Sequence, residues 1–238
     1  MTTSLVAALV TAGVLGFTHA LEPDHVAGIS SLTGEYGDSK LSAIAGACFS
    51  AGHVALVVLW VIIAYALVGR TSFPATFHVV GTVGVGVLLG LLGGAMALTG
   101  LRAVMRTGEH SHGDKTHSHP HVQPPLPGLD GHDHGTTTRA YLETGLVGAL
   151  FTLSPPVSMI VFTSTLLPEL GVETVGLAVL TYAVAITVTM SLLGAGAGVL
   201  FARTRTRGER VHAATQVLAG ALVFLLATSM LVDAAATL

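Results

Sequence analysis

Long stretches without charge decide what this chain can fold into. From Leu41 to Val68, and again from Thr174 to Ala202, there is not one Asp, Glu, Lys or Arg. A bilayer core about 30 Å thick is crossed by roughly 20 apolar residues in a helix, so each run is long enough to span it. Read this way, the apolar runs predict spans at about 3–33, 41–69, 76–103, 140–167, 173–201 and 210–236. None shows the period-2 alternation of a membrane barrel, and only helices otherwise satisfy their own backbone in lipid. The expected fold is therefore an all-α membrane protein with six transmembrane helices. With 51% hydrophobic and 10% charged residues, the composition argues against a soluble domain. A net charge of -3 offers nothing to nucleic acid, so the lipid bilayer is the expected partner. Cys48 is the single cysteine, which excludes an internal disulfide or a redox pair.

Basic residues set the expected orientation, because Lys and Arg gather in cytoplasmic loops. With the N-terminus outside, Lys40, Arg102, Arg106, Lys115, Arg139, Arg203, Arg205, Arg207 and Arg210 fall inside, and only Arg70 falls outside. The first Lys or Arg is Lys40, so the N-terminal stretch lacks the positive start of a secretory signal and is read as the first span of a cell-membrane protein.

The two halves are similar in layout. Gly13, Gly16 and Pro23 recur at the same spacing as Gly145, Gly148 and Pro155, 132 residues further on. Three spans per unit is an odd number, so two copies in tandem must cross in opposite directions, the inverted repeat of many secondary transporters. The expected division is a first three-span repeat at 1–105, a cytoplasmic loop at 106–138 and a second three-span repeat at 139–238. Each repeat opens with a proline-interrupted span, at Pro23 and at Pro155 with Pro156, and such interruptions at matching positions point to a binding site.

The first interruption carries the chemistry. His19, Glu22, Asp24 and His25 fall within seven residues, inside a span where ionisable groups are costly. Two imidazoles and a carboxylate suit nickel, cobalt, zinc or iron better than calcium or magnesium. On an ideal helix His19 would stand about 140° from Asp24 and about 120° from His25, so the three share a face only if Pro23 breaks the turn. The second span adds Ser50 and His53 around Gly52, and His53 falls at about the depth of His19. The expected metal-contacting set is His19, Asp24, His25 and His53. The corresponding positions of the second half are Phe151, Pro156, Val157 and Ala185, which makes the site one-sided; Ser154, Ser158, Thr187 and Met190 are the second-half groups that could face it.

Seven of the twelve histidines lie in EHSHGDKTHSHPHVQPPLPGLDGHDHG, between the third and fourth spans. Its prolines and lack of apolar periodicity read as a disordered, weakly chelating segment.

FTHALEPDHVAGI followed by FSAGH resembles the signature of the nickel/cobalt transporter family: His, four residues, Asp-His on one helix, then Ser-x-Gly-His on the next. The resemblance covers roughly residues 13–60. It implies transport of nickel or cobalt, with His19, Asp24, His25 and His53 at the metal-contacting positions and Ser50 and Gly52 beside them. Importers of this family have eight spans and carry the motif in the second. Six spans with a His-rich loop are more similar to the efflux branch, which usually has Gly where this chain has Asp24. The direction of transport therefore stays open. So do the choice of metal, the coupling ion and the oligomeric state.

The expected activity is a carrier with no catalytic role and no resident cofactor, the metal being its substrate. No H-E-x-x-H or other hydrolase motif is present in the sequence. The alternative is an exporter of organic or sulfur-containing anions on the same scaffold, with the histidines as protonatable contacts. Asp24 weighs against that.

Overall fold

The structure, a computed structural model, describes residues 2–33, 38–65, 75–106, 138–152 and 156–236. These form seven α-helices and, among the described residues, no strand: α1 (Thr2–Ala20), α2 (Pro23–Thr33), α3 (Ser39–Ile63), α4 (Ala75–Arg106), α5 (Thr138–Leu150), α6 (Val157–Thr206) and α7 (Glu209–Ala236). Four of them, α3, α4, α6 and α7, are long and apolar enough to cross a membrane unaided, and α1 with α2 makes a fifth candidate if the bent pair is one span. The protein is thus all-helical and compatible with an integral membrane protein. The His-rich segment expected to be disordered, the orientation marker Arg70, Pro155 and Ser154 lie outside the described residues.

Local chemistry explains where the helices begin and break. Asp38 caps α3, its carboxylate accepting from the amides of Lys40 and Leu41 at 2.7 and 2.9 Å. Pro23 is the first residue of α2, the position where a missing N–H costs nothing. Ahead of it α1 tightens off, with Leu21 N donating to Thr18 O and Glu22 N to His19 O, and the axis turns by 58°. In α6 the regular path fails at Gly171, whose φ of 78° and ψ of 174° suit a residue without Cβ.

Close approach of backbones builds the core, as is usual where small residues line helix interfaces. α3 lies between α5 and α6, α1 packs on α6, and α4 packs on α7. Gly13 and Gly16 of α1 meet Thr181 and Tyr182 of α6, while Gly145 and Gly148 of α5 meet Cys48 and Phe49 of α3. In both pairs the residue numbers rise together, so the partners run parallel. Gly46 of α3 meets Met190 and Gly194 of α6 meets Ser42, numbers that move oppositely, so α3 and this part of α6 are antiparallel. The same holds for α4 and α7, where Gly86 meets Leu231 and Gly100 meets Val217. Phe49, Leu89, Met159, Tyr182 and Ile186 fill the interior. Val6, Val10, Val14 and Phe17 on α1 and Leu218, Leu222 and Leu225 on α7 point outward, an aliphatic surface that suits lipid tails.

Candidate metal centre

The break between α1 and α2 does what an unbroken helix could not. It carries the ring of His19, in the last turn of α1, to 4.7 Å from the ring of His25, in the first turn of α2. His53 arrives from α3, its ring 5.1 Å from that of His19 and 4.7 Å from that of His25. Gly52 beside it lets α3 approach α5 so closely that a Cβ there would run into the Gly145 carbonyl. His19 Nε2 and His53 Nε2 are 3.1 Å apart, and His25 Nε2 is 3.4 Å from His53 Nδ1. Nitrogens bound to one ion at 2.0–2.1 Å with a tetrahedral angle lie about 3.4 Å apart; the His19–His53 Nε2 pair is near that spacing, and one nitrogen from each of the three rings falls within 4.8 Å of the others. His25 and His53 are 2% and 1% exposed.

Oxygen acceptors hold the far side of each ring. Glu22 Oε1 is 2.9 Å from His19 Nδ1, and Asp24 Oδ1 is 3.0 Å from His25 Nδ1. A carboxylate only accepts, so each Nδ1 carries the proton and each Nε2 keeps a lone pair facing the other rings. Asp24 Oδ1 also accepts from the His25 amide at 2.9 Å, anchoring the first turn of α2. The third oxygen is Thr152 Oγ1, 2.7 Å from His53 Nδ1, a hydroxyl that can accept from that nitrogen or donate to it.

Of the four residues expected to contact metal, the structure gathers His19, His25 and His53 into one group with ligand atoms within 4.8 Å of one another. Asp24 stands behind His25, in a second group with Glu22 and His25 on the more exposed side. Of the second-half groups that could face the site, Ser154 lies outside the described residues. Thr187 accepts from Ser50 at 2.8 Å, Met190 turns its carbonyl to Gly46, and Ser158 is exposed. The second half reaches the histidines through Thr152 and Phe151 instead, the latter with its ring 6.2 Å from that of His25. Tyr182 of α6 stacks on His19 at 6.1 Å. The signal that could have found Thr152 is its place beside Phe151, the counterpart of His19, in the interrupted segment.

Three borderline nitrogen donors, mostly buried, with carboxylates behind two of them, make a group that could hold a divalent transition metal. Comparison with protein-family models, with curated proteins and with solved structures finds no match.

Proposed function

We propose that the protein moves a divalent transition metal ion, nickel or cobalt, across a lipid bilayer by alternating access. The observation that carries this is the convergence of His19, His25 and His53 at a break in an apolar helix. An ionisable cluster inside lipid is costly unless it serves a substrate. The similarity of the motif to that of nickel/cobalt transporters supports the same choice of ion. Converging lone pairs backed by Glu22 and Asp24 disfavour an organic anion.

Six spans and an inverted repeat belong to this proposal. At 1.5 Å per residue the 50 residues of α6 would extend about 75 Å, more than twice a bilayer core. The break at Gly171 divides it, and the part before Gly171 joins α5 into a second interrupted span. Parallel packing of α1 on α6 and of α5 on α3, with matched glycines, is what two oppositely inserted copies would give. The carrier holds the ion at the interrupted first span while the repeats rock around it. With no P-loop in the sequence, an ion gradient or a partner supplies the energy.

The test is nickel or cobalt flux into vesicles reconstituted with the purified protein and loaded with a metal-sensitive dye. Parent protein should give flux above empty vesicles, and the combined His19→Ala, His25→Ala and His53→Ala variant should give none while inserting normally. Equal flux from the two would sink the proposal.

A further inference from the structure

Thr152 stands apart from the other acceptors around the histidines. Glu22 and Asp24 lie within the same turn of chain as the rings they hold, whereas Thr152 reaches His53 across 99 residues, from the interrupted segment of the other half. Its position is fixed from two sides. α5 ends at Leu150 and tightens through Thr152 N donating to Ala149 O at 2.9 Å, and the Thr152 carbonyl accepts from Trp60 Nε1 at 2.9 Å. Trp60 lies two turns beyond His53 on α3, so one helix face grips both ends of this residue. Thr152 is buried, and its Oγ1 also lies 3.4 Å from the His53 carbonyl and 3.5 Å from the Gly148 carbonyl, either of which can take its hydroxyl proton.

We propose that Thr152 is a positioning residue that sets the tautomer of His53 and so ties ion affinity to the placement of the second half, an inference that rests on the metal-carrier reading. With its hydroxyl proton on a carbonyl, Thr152 Oγ1 accepts from His53 Nδ1–H, and the His53 Nε2 lone pair faces His19 Nε2. That is the ligating form. The competing tautomer carries the proton on His53 Nε2, from which it is donated to His19 Nε2 at 3.1 Å. When the second half moves and withdraws Thr152, the proton passes to His53 Nε2 and is held by His19 Nε2, which occupies the lone pair each of them needs for the ion. Two ligands weaken together, and the ion leaves. The second half thus takes part in binding without supplying a ligand.

The experiment compares full-length parent with Thr152→Ser, Thr152→Val and Thr152→Ala. Val keeps the volume and loses the hydroxyl, Ser keeps the hydroxyl, and Ala loses both. Half-saturating nickel for flux should rise about 10- to 100-fold in Val and Ala, with Ser within about threefold of parent, the range for groups that orient metal-binding histidines. Nitrogen NMR on histidine-labelled, metal-free protein, with the His53 signal assigned by its loss in His53→Ala, should give His53 protonated at Nδ1 in parent and Ser and at Nε2 in Val. Parent protein protonated at Nε2, Val or Ala with parental half-saturation, or Ser as impaired as Val would each overturn the proposal. Absence of flux from the parent would instead sink the carrier reading, and the NMR comparison would still decide the role of Thr152.

Discussion

His53 is the residue on which the site depends in three dimensions, because it alone brings a second continuous helix to the broken one. If His25 and His53 ligate one ion, losing either ring already breaks the shell, and losing both costs little more. Independent sites would give free-energy losses that add. We expect His25→Ala and His53→Ala each to weaken nickel affinity strongly and the double variant to fall clearly short of the sum, measured by calorimetry with the histidines at 110–134 replaced so that the loop does not compete. Full additivity would leave His53 as a structural histidine. At this scale the sequence pointed to the three histidines that converge, since imidazoles have few other reasons to lie in an apolar run. It did not disclose the division of labour between ligands and the oxygens behind them. Asp24 and His25 are adjacent in sequence whether the carboxylate faces the ion or the ring, and only the 3.0 Å contact to Nδ1 decides. Thr152 was hidden because a threonine in an apolar helix ordinarily bonds its own backbone, as Thr163 does to Met159 O and Thr189 to Ala185 O.

Among elements, the contact of α3 with α5 controls where His53 sits. A Cβ on Gly52 would meet the Gly145 carbonyl, and one on Gly148 would meet the Phe49 carbonyl; backbone atoms cannot swing aside as a side chain can. Gly52→Ala must therefore push the helices apart and draw His53 from both His19 and Thr152. We expect a lower melting temperature and weaker nickel binding than in a Gly176→Ala control, where nothing lies within 4 Å of the added methyl. A parental melting temperature and affinity for Gly52→Ala would mean that the two helices do not pack as closely as described. The sequence is rich in glycine. It could not say which glycine faces which helix, since that depends on the relative rotation of neighbours. The break at Pro23 was legible because proline removes a donor and starts a helix well. The break at Gly171 was legible as the interval between spans at about 167 and 173, but the residue that turns the chain was not, because one glycine among 29 carries no mark of a positive φ.

For the whole molecule, the question is how many times the chain crosses the membrane. Hydropathy separated the fourth and fifth spans at about 167–173, and the backbone of α6 is non-helical at Gly171, where two helices meet in a kink. Length agrees, since a single straight pass would leave much of α6 outside a 30 Å core. Six spans with the N-terminus outside put the exposed residues Lys40 and Arg207 on the cytoplasmic side and Glu169 on the opposite side. If α5 and the first part of α6 do not cross, Glu169 stays on the cytoplasmic side with Arg139, and Arg207 moves outside. Cysteine substitution distinguishes the two arrangements because Cys48 is the only cysteine to remove. In a Cys48→Ala background we expect Glu169→Cys to react with an impermeant maleimide added outside intact cells, and Lys40→Cys and Arg207→Cys to react only after permeabilisation. Reaction of Arg207→Cys in intact cells, or protection of Glu169→Cys until permeabilisation, would remove the fourth span. The pairing of the two interrupted segments, and with it the route by which a rocking second half could withdraw Thr152 from His53, would go with it.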